Sequence, residues 1–350
     1  MNNKNLKLVV FADLDSTLLD DAYSYEGAKP IISTLLSMDV SIVFCSSKTK
    51  AEIEHYRQKM GICDPFIVEN GGAIFIPKNY FPFVPACSKH TVKYDVVELA
   101  VPYAVARGKL AGIKLETGAG IVGFGDLTAE EVAAETGLPL SLAKLAKKRE
   151  YDEPCRLLWG NEKAILAAVE KEGLVFVKGG RYFHLLGGSD KGKATTMLKD
   201  FYVKAFGRTV TFGIGDSPID MPMLKAVDFP LLVRNSSGGK NARLVVWRNV
   251  LRLVTQKARN EPEFNVFGGT TIHFKLSNPY FSRSGSRKVV AKSSSISDRT
   301  TVSPVRYARA ISVRSLRGAY LPLISQYSPS SLSFPSSMIH EYLSSGCSPW

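Results

Sequence analysis

The run Leu6-Lys7-Leu8-Val9-Val10-Phe11, followed at once by Ala12-Asp13-Leu14-Asp15-Ser16-Thr17, decides the architecture. A short, continuous apolar segment predicts a strand covered on both faces, as in a parallel sheet flanked by helices. In open α/β sheets ligands bind beyond the carboxyl ends of the strands, so Asp13 and Asp15 are expected to face a site. Two carboxylates one residue apart repel each other unless a cation or a proton lies between them. Read as structure alone, the pair would be an Asx-turn or a helix N-cap.

Outward from this stretch, strand and helix signals alternate. Gly27 to Met38 has apolar residues at helical spacing, with Pro30 in a tolerated first-turn position. Val40 to Cys45 reads as a second buried strand, and Thr49 to Met60 as a helix stopped by Gly61. Phe66 to Val68 and Ala73 to Ile76 flank Asn70-Gly71-Gly72, a hairpin-like turn. Strands separated by helices of this length imply βαβ units, so residues 1–82 read as the first part of a Rossmann-like parallel sheet. Residues 83–186 break the pattern: short strands accompany helices at Thr128 to Glu135 and Asn161 to Glu172, and Gly179-Gly180 marks another hairpin. This stretch reads as an inserted α+β domain. Alternation returns over residues 187–255, with a helix at Asp190 to Phe206, a strand at Thr209 to Ile214, a short helix at Pro218 to Ala226 and a strand at Phe229 to Val233. Ser236 to Lys240 reads as a linker before a last apolar stretch at Leu244 to Val254. Residues 256–350 are rich in Ser, Pro and Arg without a sustained period, and read as a disordered tail.

The composition is ordinary for a soluble globular protein: 350 residues, 45% hydrophobic and 22% charged. No apolar run is long enough to cross a bilayer, so no membrane partner is expected. Five scattered cysteines without CxxC spacing argue against a disulfide framework or zinc site, and for a reducing cytoplasm. A formal charge of +13 would suggest nucleic acid, but +8 of it lies between Phe264 and Trp350. That tail has no nucleic-acid motif and no regular aromatic interleaving, which weighs against a nucleic-acid partner.

Further chemistry-bearing residues sit after other strands. Gly215-Asp216-Ser217-Pro218-Ile219-Asp220 places Asp216 at a strand end and Asp220 one helical turn later, a pattern that fits either a capped helix start or metal ligation. Oxygen donors without His or Cys point to Mg²⁺. Ser46 and Ser47 follow the second strand, where a hydroxyl and backbone amides can hold a phosphate, or where a serine can cap the next helix. Lys191 opens a helix between Gly188 and Gly192, a position unfavourable for the helix dipole; Lys193 competes for the same role.

Asp13-x-Asp15-x-Thr17, Ser46, Lys191 and Gly215-Asp216-x-x-x-Asp220 resemble, in order, the four motifs of the haloacid dehalogenase-like phosphatases, and the insertion resembles their larger (C2B) α/β cap. Within that superfamily the chain is similar to the mannosyl-3-phosphoglycerate phosphatases through Cys45-Ser46-Ser47-Lys48-Thr49, Val68-Glu69-Asn70-Gly71-Gly72, Arg149-Glu150-Tyr151-Asp152-Glu153-Pro154 and the run Gly180 to Gly188. The resemblance covers roughly Leu6 to Asn235 and implies hydrolysis of a small sugar phosphate, mannosyl-3-phosphoglycerate, to the compatible solute mannosylglycerate. It implies Asp13 as nucleophile, Asp15 as acid and base, and Ser46 and Lys191 on the phosphoryl oxygens. It implies Mg²⁺ on Asp13, Asp216 and the Asp15 carbonyl, braced by Asp220. Substrate contacts are expected from Ser47, Asn70, Arg149, Glu153, Arg181 and His184, with Asp152 also a candidate for the sugar hydroxyls. Ser16 departs from the glycine many relatives carry, and the chain after Asn235 does not look like the usual family ending. The rival readings are another cap-type sugar-phosphate or glucosyl-3-phosphoglycerate phosphatase, a phosphomutase, or a nucleic-acid-binding protein acting through its basic tail. No oligomeric state follows from the sequence.

Overall fold

The computed structural model describes residues 6–233 and 242–259. The apolar N-terminal run forms β1 (Lys7–Ala12), in which Val9, Val10, Phe11 and Ala12 are fully buried. After an irregular flap come α1 (Lys29–Ser37), β2 (Ser41–Phe44), α2 (Lys50–Met60) and β3 (Phe66–Val68). A capping box starts α2: the Thr49 hydroxyl accepts from the Glu52 amide and the Glu52 carboxylate accepts from the Thr49 amide. Gly61, at φ +69°, ends it in the left-handed conformation that glycine reaches without strain.

A hairpin follows, as the glycine pair led us to expect. β4 (Ala73–Pro77) runs antiparallel to β3, and β5 (Lys89–His90) and β6 (Tyr94–Glu98) complete a sheet ordered β3-β4-β6-β5. β6 therefore pairs with β4, and β5 with β6, so residues 89–98 extend this sheet although the insertion was expected to begin at residue 83. The insertion comprises α3 (Tyr103–Thr117), β7 (Gly120–Gly123), α4 (Ala129–Thr136), α5 (Leu140–Ala146), β8 (Glu153–Trp159), α6 (Glu162–Lys171), β9 (Val175–Gly179) and β10 (Tyr182–Leu186). Its strands form an antiparallel sheet ordered β7-β8-β10-β9. α3 and α5 went unread in the sequence. Gly108 and Gly112 lower helix propensity within α3, and α5 is only two turns long.

The chain then returns to the first sheet through α7 (Lys191–Phe206), β11 (Thr209–Gly215), α8 (Met221–Ala226), β12 (Phe229–Leu232) and α9 (Ala242–Ala258). The parallel sheet has the order β12-β11-β1-β2, and a parallel bridge from Cys45 to Ile67 links it to β3. β1 and β11 are neighbours with Ala12 opposite Ile214, so Asp13 and the Gly215-Asp216 turn leave the sheet side by side. One core cluster joins Phe11, Val43, Ile74, Leu198, Tyr202 and Leu224 across both sheets and α7.

The last apolar stretch completes the core. α9 buries Trp247, Val250, Leu253 and Val254 at helical spacing, and the Trp247 indole donates to the Thr17 carbonyl at 3.0 Å. Its C-terminal turn crosses the boundary expected at residue 256. The linker expected at Ser236 to Lys240 and the tail from residue 260 onward lie outside the described residues.

Trp247→Ala is expected to cost about 3–5 kcal/mol of stability in urea unfolding, because it opens a cavity under the flap. Trp247→Phe keeps most of the packing but removes the donor to Thr17, and should cost the smaller share. Equal losses in the two variants would show that the indole volume contributes nothing.

Candidate active site

Four charged side chains meet where β1 and β11 end. Lys191, the first residue of α7, is 1% exposed and donates to Asp13 Oδ1 at 2.8 Å and Asp220 Oδ1 at 2.5 Å. Burial alone would lower the pKa of this ammonium, but Asp13 and Asp220 outweigh burial and hold it above the ordinary lysine value. Burial holds the Asp13 carboxyl well above its ordinary range; Lys191 opposes the shift, while Asp220, Asp216 and Asp15 add to it. Asp216 is pushed up to about 7 by burial and then by Asp220, with Lys191 pulling it back. Lys193, the competing lysine, is exposed and donates to the Gly188 carbonyl.

This electrostatic tension suits a cation. Oxygen atoms of Asp13, Asp216 and Asp220 lie within 4.8 Å of one another, an all-oxygen donor set that fits a hard divalent ion. Asp220 is already committed: besides Lys191, its Oδ2 accepts from the amides of Asp216 and Ser217 and from the Ser217 hydroxyl. It therefore braces the turn, and Asp13 and Asp216 are better placed as direct ligands. Thr17 donates its hydroxyl to Asp216 Oδ1 at 3.3 Å, tying the two loops together.

Asp15 turns away from this cluster onto Lys48, with Oδ1 at 2.9 Å from Nζ. Lys48 is 5% exposed, pairs also with Glu52 at 3.5 Å and lies over the Tyr23 ring. Its role went unread, although Lys48 and Glu52 stand four residues apart at a helix start, a spacing that brings opposite charges together. Thr49 caps α2, so capping does not explain Ser46. The Ser46 hydroxyl accepts from the Lys48 amide at 3.3 Å, which leaves its own proton to donate. Ser16 sits at φ +58°, the left-handed region where a non-glycine residue costs roughly 1–2 kcal/mol.

A cavity of about 520 Å³ opens over this floor, lined by Asp13, Asp15, Lys48, Lys191 and Asp216 below and by Phe124, Leu138, Tyr182 and other insertion residues above. Ser47, Arg149, Arg181 and His184 line it as expected residues; Ser46, Asn70, Asp152, Glu153 and Asp220 do not. Glu153 is spent within the insertion, where it accepts from Tyr103, Arg107 and the Gly125 amide. Asp152, fully buried, takes donors from Asn70, Arg149 and His184 on Oδ2. Arg149 also donates to the carbonyls of Ser47 and Asp152. Arg181 donates to the Thr136 carbonyl at 2.8 Å, beside the Tyr23 hydroxyl.

A family model described as haloacid dehalogenase-like hydrolase matches residues 10–107. Over 244 residues, covering 69% of this chain and 90% of the relative, the chain is 43% identical to the glucosyl-3-phosphoglycerate/mannosyl-3-phosphoglycerate phosphatase of Methanococcoides burtonii. The chain belongs to the mannosyl-3-phosphoglycerate phosphatase family of haloacid dehalogenase-like hydrolases. The mannosyl-3-phosphoglycerate phosphatase of Pyrococcus furiosus is 43% identical over 229 residues, 64% of this chain and 90% of that one. A crystal structure from Thermoplasma acidophilum shares the fold, with a TM-score of 0.50 at 16% identity over 73% of this chain and 99% of that one. The expected α/β core with an inserted domain is thus a fold this chain shares with that structure.

Cap and core of this family member meet at Glu69. Its carboxylate is fully buried and accepts the amides of Glu150, Tyr151 and Asp152 at 2.8–2.9 Å. Burial pushes its pKa from an ordinary 4.5 up to about 7, against the pull of Arg149 and two of those amides. Between these values the folded chain holds a proton that the unfolded chain has lost, so stability falls as pH rises through the window. The drop attributable to Glu69 is roughly 3 kcal/mol. Unfolding of wild type and Glu69→Gln across pH 4 to 8, as an approximate bracket of that window, should show a shallower decline in the variant. Parallel curves would exclude Glu69 as the titrating group.

Proposed function

We propose that this chain is a Mg²⁺-dependent phosphatase that converts mannosyl-3-phosphoglycerate to mannosylglycerate and phosphate through an aspartyl-phosphate. The observation that carries the reading is Asp13 at the floor of a capped cavity, with Lys191 on one of its oxygens and Asp216 beside it. The names of the relatives supply the substrate class. Because one relative is named for both sugars, the glucosyl analogue belongs to the same reading.

In the first half-reaction an Asp13 carboxylate oxygen forms a bond to phosphorus as the bond from phosphorus to the glycerate oxygen breaks. The Asp15 carboxyl gives its proton to that leaving oxygen, and Lys48 fixes the carboxyl's position. In the second half, Asp15 takes a proton from water, the water oxygen attacks phosphorus, and Asp13 leaves as carboxylate. Lys191 donates to a phosphoryl oxygen as charge redistributes; the same role for the Ser46 hydroxyl, which does not line the cavity, rests on the family resemblance alone. Asp13, Asp216 and the Asp15 carbonyl would hold Mg²⁺, which would supply positive charge against the repulsion between carboxylate and phosphate. Arg181 and Arg149 serve the anionic end of the glycerate, and His184, whose Nδ1 is held by Asp152, offers Nε2 to a sugar hydroxyl. Ser47 lines the phosphate end.

No helix among the described residues is long and apolar enough to cross a membrane. Cys45, Cys63, Cys87 and Cys155 are free thiols, which supports a cytoplasmic setting.

The purified chain with Mg²⁺ should release phosphate from mannosyl- and glucosyl-3-phosphoglycerate, and chelation should stop turnover until Mg²⁺ is restored. Asp13→Asn should abolish it, and Lys191→Met should lower kcat by about 10²–10³. Turnover in Asp13→Asn would remove the nucleophile assignment. Preference for simple sugar phosphates would overturn the substrate, and an isomer without free phosphate would indicate a mutase.

A further inference from the structure

We propose that Cys87, His90 and Asp95 form a binding site for a thiophilic divalent cation of the zinc class. None of these residues lines the catalytic cavity. They gather on the β5–β6 hairpin at the edge of the second sheet, where the register sets His90 directly opposite Asp95. The Cys87 Sγ lies 3.6 Å from each ring nitrogen of His90, and His90 Nδ1 lies 2.7 Å from Asp95 Oδ1. One ligand atom from each residue falls within a common 4.8 Å. A sulfur and a nitrogen bound tetrahedrally to one Zn²⁺, at about 2.3 Å and 2.0–2.1 Å, are themselves about 3.6 Å apart. The histidine and carboxylate need to separate by less than about 1 Å to reach the corresponding spacing.

A positive charge already sits where these groups converge. The Lys78 ammonium binds Asp95 Oδ1 and lies 3.3 Å from His90 Nδ1. The Lys78 and His90 side chains are 34% and 60% exposed, so both can move without disturbing the core. A divalent cation would replace Lys78, which would swing into water, and a water molecule would complete four ligands. The donor types separate this site from the catalytic one. Sulfur and imidazole favour zinc-class ions, whereas the three active-site carboxylates favour Mg²⁺. The hairpin also gains most from such a tie, because β5 has only two residues and Val92 in its turn is 97% exposed.

The alternative is a partly exposed ion-pair network of Lys78, His90 and Asp95 that binds no metal. Cobalt distinguishes the two, since a thiolate ligand on Co²⁺ gives a near-ultraviolet charge-transfer band that carboxylates cannot. The full-length reduced protein, with excess Mg²⁺ on the catalytic carboxylates, is titrated with Co²⁺ and then Zn²⁺. The band is expected at one equivalent, displaced by Zn²⁺, lost in Cys87→Ser, and retained in Cys63→Ser, Cys347→Ser and Asp13→Asn. His90→Ala should weaken Zn²⁺ binding by at least about tenfold. Lys78→Gln should tighten it severalfold by removing the competing charge. Absence of the band, its survival in Cys87→Ser, its loss in either control cysteine variant, or unchanged Zn²⁺ affinity in Lys78→Gln would overturn the proposal.

Discussion

Burying an ammonium among three carboxylates is the constraint around which this molecule is arranged. Lys191 cannot be solvated at 1% exposure, so its charge is stable only while Asp13 and Asp220 remain within hydrogen-bond reach. Those two residues lie far apart in the sequence, and the adjacency of β1 and β11 brings them together. Breaking such a pair typically costs about 3–5 kcal/mol, because the remaining charge stays buried without a partner. Asp220 also accepts three donors from its own turn, which removes its freedom to rotate away. The residual excess of negative charge at Asp13 and Asp216 is what a divalent cation would offset, so the repulsion between these carboxylates favours binding of a hard cation beside them.

The approach of α7 to this cluster depends on glycine in the second sheet. Gly71 lies at φ +92°, and a Cβ there would stand 2.2 Å from the Asp190 carbonyl oxygen and 2.8 Å from the Lys191 amide nitrogen. A Cβ on Gly72 would collide with Tyr151 at 2.5 Å. The two glycines therefore admit the lysine-bearing helix on one side and the cap segment on the other. Glu69 then fastens that cap segment by three hydrogen bonds from backbone amides, so one short turn positions both Lys191 and Arg149, which line the cavity.

The strand ends and the motif residues were legible because each rests on local chemistry. An apolar run followed by Asp13 and Asp15, a glycine-aspartate turn before Asp220, and Gly61 after a helix all announce themselves within a few residues. The turn at Asn70-Gly71-Gly72 was read correctly as a hairpin, but its tighter requirement, room for Asp190 and Tyr151, is a contact between distant segments. The same limit explains Glu153. Nothing in Glu150 to Pro154 says which carboxylate faces a cavity. The answer depends on Tyr103 and Arg107 of α3, a helix whose two glycines had hidden it. Trp247 was hidden for a related reason: its partner, the Thr17 carbonyl, is 230 residues away.

The flap after Thr17 joins the surroundings of Asp15 to the cap. Tyr23 donates its hydroxyl to the Thr136 carbonyl of the cap, and its ring lies over Lys48, the partner of Asp15. Arg181 reaches the same Thr136 carbonyl from the cap side. Asp15, the flap and the cap thus share one set of contacts, so displacing the cap would loosen the surroundings of Asp15 as well as exposing the cavity. Arg181 spends one terminal nitrogen on this junction, toward Thr136 and Tyr23, and its planar fork carries further donors. An anionic substrate group taken by the remaining donors would hold the cap shut at the same moment that it is recognised. Recognition of the anionic substrate end and exclusion of bulk solvent during phosphoryl transfer would then be one event, which is how such an enzyme can confine turnover to a substrate that fills its cap.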